Sequence, residues 1–104
     1  MVYWYRTLPA GELKEGQKLV IVSGGDAGNS EAALAMWHQL PNLKPDVIFM
    51  GGDIPYDNNI IDCYWTWDVL MKELEAVSRE CGRLVPIVMA LGNHDIGFNA
   101  GADQ

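Results

Sequence analysis

The fold is decided by residues 19–28, which read LVIVSGGDAG. The first four residues are apolar and mostly β-branched with no alternation, a pattern typical of a strand buried on both faces. The glycine-rich remainder predicts a loop, and Asn29 or Ser30 can cap the helix that follows. Apolar residues recur at helical spacing up to Pro41, which cannot continue the helical hydrogen bonds. The segment therefore predicts a strand, a loop and a short amphipathic helix.

The same order of elements follows again along the chain. A second buried strand is predicted at residues 46–50, with a turn-rich loop at 51–59. The longest helix is predicted from Asp62 to Cys81, with Gly82 placed for a left-handed C-terminal cap. Its predicted apolar stripe consists of Trp67, Leu70, Met71, Leu74, Val77 and Cys81.

A third strand is predicted at residues 84–91, closed by a loop at 92–95. The β-α-β-α-β order with right-handed crossovers predicts an α/β domain, a parallel sheet with flanking helices, over residues 18–104. Residues 2–7 alternate aromatic and other side chains and predict one further strand that ends at a turn. We therefore separate residues 1–10 as a strand and linker.

Composition limits the chain to one small domain or a piece of one, since 104 residues cannot form two independent cores. With 49% hydrophobic and 20% charged residues, the chain is expected to fold. Fourteen acidic against seven basic residues give a net charge of −7, which argues against a general nucleic-acid binder. No apolar run approaches the roughly 18 residues that span a membrane, so we expect neither a membrane helix nor a signal peptide.

The two cysteines, Cys63 and Cys81, fall in the same predicted helix, roughly 27 Å apart at the usual helical rise. A disulfide needs Cα atoms within about 7 Å of each other, so both are expected to be free thiols. The cysteines leave the redox compartment undecided.

Three loops are expected to meet at one edge of the sheet, because parallel strands present their carboxyl ends on the same side. These loops are residues 24–28, 51–59 and 92–95. In each of them glycine precedes a side chain that can bind a metal, and glycine permits the sharp turn that directs this side chain across the strand ends. The side chains concerned are Asp26, Asp53, Asn93 and His94.

Asp26 and Asp53 should lie close together, with no Lys or Arg in either loop. Two unpaired carboxylates repel each other, so a cation is their simplest partner. Asp53, on the central loop, is placed to bridge two metal ions about 3.5–4 Å apart, the spacing used in phosphate ester hydrolysis. Tyr56 can add a phenolate and Asn93 an amide oxygen, while His94 can be a ligand, a general acid or a contact to an anionic substrate.

Each of these residues also has a structural explanation when taken alone. Either aspartate can form an Asx turn or cap the next helix, and Tyr56 can be a packed ring with a hydrogen-bonded hydroxyl. Residues 24–28 are also a candidate nucleotide-binding loop, but neither Gly-Lys-Ser/Thr nor Gly-x-Gly-x-x-Gly is present. Three ligand-bearing loops after three parallel strands favour a metal-dependent site.

These motifs resemble the calcineurin-like metallophosphoesterase superfamily, which carries an Asp loop, a Gly-Asp loop and a Gly-Asn-His-Asp/Glu loop after successive strands. They occur here in that order, at residues 25–28, 52–56 and 92–95. The common Asp-x-His of the first loop is absent, since Gly28 stands at the histidine position, and Tyr56 follows Asp53 by three residues. That combination resembles the purple acid phosphatase branch, in which a tyrosinate on a ferric ion replaces the histidine.

The resemblance implies a binuclear centre of Fe(III) with Zn(II), Fe(II) or Mn(II) that hydrolyses phosphate monoesters. It implies Asp26 and Tyr56 on the ferric ion and Asp53 bridging the two metals. Asn93 is then a ligand of the divalent ion, and His94 contacts the substrate phosphate, with a possible role as acid.

The resemblance also implies that the chain is the front half of a phosphatase domain. Residues 2–9 resemble the last strand of the β-sandwich that precedes the catalytic domain in larger purple acid phosphatases. Asp95 stands where that branch usually has glutamate, and the branch's remaining histidine ligands have no counterpart up to Gln104. We expect half of a two-sheet α/β sandwich, with an exposed core face that the second half or another partner covers. Such enzymes are commonly secreted or lysosomal, although the residues themselves leave localisation open.

Two alternatives to a phosphatase stay open on the sequence. The chain can be a non-catalytic binding or scaffold module that retains the fold, or a manganese-dependent phosphodiesterase or nucleotidase. Iron and zinc analysis separates these possibilities.

Overall fold

The computed structural model describes residues 2–56 and 64–95. In these residues three strands and three helices alternate along the chain as β-α-α-β-α-β. They are β1 (Ile21–Gly24), α1 (Glu31–Trp37), α2 (Leu40–Leu43), β2 (Val47–Met50), α3 (Trp65–Cys81) and β3 (Ile87–Met89). Within the described ranges, no helix combines the length and the apolar character needed to cross a bilayer.

The strands form one parallel sheet in the order β1-β2-β3, which confirms the predicted α/β architecture. Their last residues are in register, since Gly24 pairs with Met50 and Met50 with Met89. The strands therefore end level with one another, and the loops that follow them leave the sheet at one edge.

β1 lies two residues further along the chain than predicted, and β2 and β3 are shorter than predicted. Before β1, the backbone N–H of Val20 donates to the Asp46 carboxylate at 2.9 Å, so a side chain takes the place of a strand partner. Before β3, Pro86 has no N–H to donate, and the strand begins only at the next residue.

Ser30 caps α1 as predicted, because its hydroxyl accepts a hydrogen bond from the backbone N–H of Ala33 at 3.2 Å. The expectation that this helix continues up to Pro41 was wrong. α1 ends at Trp37, and Pro41 lies in the first turn of α2, where a backbone N–H has no helical partner in any case.

The long helix α3 ends at Gly82, whose φ of 70° is the predicted left-handed cap. Leu70, Leu74 and Val77 of the predicted stripe are buried. Met71 was wrongly included in the stripe, because its side chain is 48% exposed. It lies about 100° around the helix from Leu70, at the border of the buried face.

Several expectations concern residues outside the described ranges. They include the predicted start of the long helix at Asp62, the neighbouring Cys63 and the end of the second loop at 57–59. Cys81 is described and is a free, half-buried thiol, and burial raises the pKa of its sulfur.

The helices cover one face of the sheet. Trp37 of α1 and Leu74 of α3 belong to the same buried cluster as Ile48 and Met50 of β2. Alternate strand residues point to the opposite face, where Phe49 is 41% exposed. The main buried cluster of the described residues therefore lies on one side of the sheet.

We call the other side the uncovered face and define it by four exposed apolar residues: Ile21, Phe49, Leu84 and Val88. The prediction of burial on both faces was wrong for β1 and for Phe49 of β2. It holds at the start of β2, where Val47 points to the same side as Phe49 and is only 4% exposed. The described residues therefore leave this face open at Ile21 and Phe49 but not at Val47.

The N-terminal segment does not form the strand predicted at residues 2–7. Tyr5 makes one isolated parallel bridge with Leu84, and the Leu84 N–H donates to the carbonyl of Trp4 at 2.8 Å. This bridge lies before the start of β3. Among the described residues the N-terminal segment forms no second bridge, so its alternating aromatic residues do not produce a strand. Its assignment to a preceding β-sandwich domain stays a prediction.

An ion pair joins the amino end of β2 to the segment before β3. Arg83, only 7% exposed, donates to the carbonyl of Pro45 at 2.8 Å and to the Asp46 carboxylate at 3.1 Å. The same carboxylate accepts from the Val20 N–H, and Arg6 approaches it to 3.9 Å. One aspartate thus ties together the starts of all three strands.

Replacing Arg83 tests this clamp. We expect Arg83→Met to lower the free energy of unfolding by about 3 kcal/mol, because it removes the buried cation from the partly buried Asp46 carboxylate and leaves only the exposed Arg6 near it. Arg79→Met is the matched control, since Arg79 pairs with Glu75 at an exposed helix position and should cost less than about 0.5 kcal/mol. Urea unfolding of both variants measures the difference, and equal losses would contradict the clamp.

Candidate metal centre

The first two loops run side by side beyond the ends of β1 and β2. The backbone N–H of Asp26 donates to the carbonyl of Gly52 at 3.0 Å, and that of Gly28 donates to the carbonyl of Ile54 at 2.8 Å. Backbone bonds of this kind continue the sheet for a short distance past its strands. They bring the residues that follow Gly25 and Gly52 to the same edge.

The second and third loops meet so closely that both must carry glycine. A Cβ added to Gly92 would lie 2.1 Å from Oδ1 of Asp53, and one added to Gly52 would lie 2.9 Å from the backbone nitrogen of Gly92. Gly52 also has a φ of 95°, which other residues rarely adopt. The Gly-Asp and Gly-Asn-His-Asp motifs therefore fit each other directly.

Four predicted site residues are connected by a series of direct contacts. The Tyr56 hydroxyl donates to Oδ1 of Asp26 at 3.1 Å. The Tyr56 ring lies 4.9 Å from the His94 ring, centroid to centroid, at an interplanar angle of 31°. The backbone N–H of His94 donates to Oδ1 of Asp53 at 3.0 Å. Asn93 lies exposed in the same turn as His94.

Tyr56 occupies space beside Gly28. A Cβ added to Gly28 would lie 3.7 Å from Cδ2 of the Tyr56 ring, which is ordinary van der Waals contact. The ring thus lies against the position at which the common first-loop motif carries histidine. Its hydroxyl reaches Asp26 from there.

Three of these residues have strained backbones. The φ angles of Asp26, Asp53 and Tyr56 are 50°, 48° and 55°, in the left-handed region that L-residues rarely occupy. Such conformations cost about 1–3 kcal/mol each and tend to persist at functional sites. The strain coincides with three residues that the sequence marks as metal ligands.

The site is electrostatically negative. The pKa of Tyr56 is raised, first by partial desolvation and then by its hydrogen bond to Asp26 and by the charges of Asp26, Asp53 and Asp95. The described residues of the three loops include no Lys or Arg. A cation would relieve this repulsion and take the place of the phenol proton.

The donor set suits a hard cation, because it consists of carboxylate, phenol and amide oxygens. In the described part of the chain, no three His, Cys, Asp or Glu side chains are grouped closely enough to hold a metal ion. A complete coordination shell therefore needs donors beyond those four residue types or beyond the described residues.

Asp95 has no role that the sequence motifs predict, yet it is the most buried polar residue of the site. It is 6% exposed, and its carboxylate accepts from the N–H of Ile54 at 2.7 Å and from that of Gly92 at 2.9 Å. The available signal was its place at the end of the Gly-Asn-His-Asp motif, one residue after the candidate catalytic histidine.

One of three comparisons with known proteins identifies the family of this chain. A family model described as calcineurin-like phosphoesterase matches residues 25–103, so the chain belongs to that family. This is a family of metal-dependent phosphoester hydrolases, typically with two metal ions. A search of curated proteins and a search of solved structures found no match.

The backbone strain at Asp26 gives a test by substitution. We expect Asp26→Gly to be more stable than Asp26→Ala by about 1 kcal/mol, because glycine adopts a φ of 50° without a Cβ clash. Both variants remove the carboxylate, so the comparison isolates the backbone.

The control pair is Glu75→Gly and Glu75→Ala in the middle of α3. There the sign should reverse, with glycine less stable than alanine by about 1 kcal/mol. Thermal and urea unfolding measure both pairs. A glycine penalty at residue 26 would show that the left-handed conformation is not imposed by the fold.

Proposed function

We propose that this chain takes part in hydrolysis of phosphate monoesters at a binuclear metal centre of the purple acid phosphatase type. The observation that supports this specificity is the hydrogen bond from the Tyr56 hydroxyl to Asp26. It brings a phenol to the carboxylate of the first loop, beside Gly28, where the family's usual histidine is missing.

In this proposal the first metal is Fe(III), bound by Asp26 and Tyr56. Phenolate and carboxylate are hard donors that suit a ferric ion. Asp53 bridges to a second metal, Zn(II), Fe(II) or Mn(II), which Asn93 also binds. The support for the bridge is that Asp53 lies on the central loop and is bonded to the third loop through the His94 N–H.

When bound, the metal pair supplies Lewis acidity and activates water for in-line attack on phosphorus. The chain's own contribution is to hold His94 beside that centre. The backbone of His94 is fixed by Asp53, and its half-buried ring is tilted against the Tyr56 ring. The imidazole is thereby available to contact the phosphoryl oxygens and to hold a proton for the leaving group.

The proposed partners are a phosphate-ester substrate and a polypeptide layer that packs on the uncovered face. That layer is the second half of the domain or a partner protein, and it brings the remaining metal ligands. The support is the apolar character of the face, with Ile21, Phe49, Leu84 and Val88 all exposed.

A second candidate function is a non-catalytic module that keeps the family fold. A manganese-dependent phosphodiesterase or nucleotidase is the third possibility. Metal content distinguishes the three, because iron is expected only for the purple acid phosphatase type.

The proposed ferric site is tested by spectroscopy on the iron-loaded chain. We expect a visible tyrosinate-to-iron band that disappears in Tyr56→Phe, since phenylalanine keeps the ring and removes the ligand oxygen. Tyr5→Phe is the control, because Tyr5 is 68% exposed in the N-terminal segment. A band that survives Tyr56→Phe, or a chain that binds no iron under any loading condition, would overturn the proposal.

The uncovered face gives a separate prediction. We expect the chain to bind the dye ANS, and the double variant Phe49→Ser/Val88→Ser to bind at least about twofold less, because it removes two neighbouring apolar side chains from the exposed sheet. The control is Met71→Ser, which removes an equally exposed apolar residue from α3. Equal ANS fluorescence in both variants would contradict a docking role for this face.

A further inference from the structure

Two aspartates of the site make reciprocal hydrogen bonds across the second and third loops. Oδ1 of Asp53 accepts from the N–H of His94 at 3.0 Å, and Oδ1 of Asp95 accepts from the N–H of Ile54 at 2.7 Å. Ile54 follows Asp53 in the chain, and His94 precedes Asp95. Each loop therefore supplies one carboxylate and one amide to the same small ring of contacts.

Asp95 has a second contact that Asp53 lacks. Its other oxygen accepts from the N–H of Gly92 at 2.9 Å, and its own N–H donates to the Gly92 carbonyl at 3.2 Å. These bonds close the Gly-Asn-His-Asp turn on itself. Because Asp95 is 6% exposed, water does not readily replace its carboxylate as an acceptor.

The separation of the two loops is set by this ring together with the glycine contacts. A Cβ on Gly92 would lie 2.1 Å from Oδ1 of Asp53, so the loops are already at the limit of backbone approach. The glycines permit that approach but supply no attraction. The attraction comes from the two carboxylates, and hydrogen bonds to a charged acceptor are the stronger class.

We propose that Asp95 is a positioning residue, which fixes Asp53 and His94 relative to each other through its bonds to the Ile54 and Gly92 amides. Its effect on Asp53 passes through Ile54, and its effect on His94 passes through the closed turn. The consequence for metal binding rests on the proposed function, whereas the coupling between the loops does not.

The coupling is tested by amide hydrogen exchange on the metal-free chain, resolved by NMR. Asp95→Asn keeps the shape of the side chain but turns one acceptor oxygen into an N–H donor that faces an amide N–H. We expect protection of Ile54 and Gly92 to fall about tenfold, as for loss of a buried hydrogen bond. The decisive residue is His94, whose backbone N–H donates to Asp53 and not to Asp95, and whose protection should fall by a similar factor.

Asp46→Asn is the matched control. Asp46 is also a largely buried carboxylate with two protein donors, the Val20 N–H and Arg83, but it lies at the opposite edge of the sheet. Asp46→Asn should reduce protection at Val20 and leave His94 within about twofold of the original protein. If His94 keeps its protection in Asp95→Asn, Asp95 is a local cap only and the proposal is wrong.

A second variant keeps the test decisive if Asp95→Asn does not fold. Asp53→Gly removes the reciprocal acceptor and suits the φ of 48° at that position. Its expected effect is loss of protection at Ile54 as well as at His94, because the ring is broken from the other side. Unchanged protection at Ile54 would overturn the coupling.

Titration with Mn²⁺, followed by electron paramagnetic resonance, connects the coupling to the metal centre. We expect Asp95→Asn to weaken Mn²⁺ binding about tenfold, the size typical of residues that orient ligands, and Asp46→Asn to change it less than twofold. Unchanged Mn²⁺ affinity in Asp95→Asn would overturn the positioning role. A chain that binds no Mn²⁺ would count against the proposed function, and the exchange result would then decide the coupling by itself.

Discussion

The close approach of three backbones at the carboxyl edge of the sheet is the constraint on which the rest of the structure depends. Gly52 and Gly92 leave no room for a side chain where their loops meet. That contact allows the His94 amide to reach the Asp53 carboxylate, and the neighbouring loop brings Tyr56 to Asp26. The strained left-handed backbones at the two aspartates and the tyrosine are held in place by these contacts.

The sequence was sufficient to predict how these loops converge. Parallel strands in a β-α-β-α-β order must end on one side, so glycine-led loops after each strand had to meet there. The Ser30 and Gly82 helix caps could be predicted because each has a specific backbone conformation and hydrogen bond. The contact between Tyr56 and Asp26 of the first loop was implied by the family resemblance and not by residue spacing.

Other features depend on contacts that no local pattern contains. Residues 2–7 alternate like a strand but meet only Leu84. The runs at 19–22 and 46–50 indicate burial on both sides, whereas the described residues leave Ile21 and Phe49 exposed on one of them. A run of apolar residues does not show which of its positions the rest of the chain covers. Asp95 lacked a predicted role because one of its donors, the Ile54 N–H, becomes its neighbour only after the second and third loops meet.

The carboxylates at the two edges of the sheet have different charged neighbours. At the amino edge Asp46 is neutralised by Arg83, whereas the loops at the carboxyl edge bring Asp26, Asp53 and Asp95 together with no Lys or Arg of their own. The central claim is that a cation shared by Asp26 and Asp53 completes that edge. An anomalous difference map from crystals soaked in Mn²⁺ tests it most directly. The account predicts a peak about 2.0–2.6 Å from carboxylate oxygens of both aspartates; a map with no peak there, or with its peak at Asp46, would contradict it.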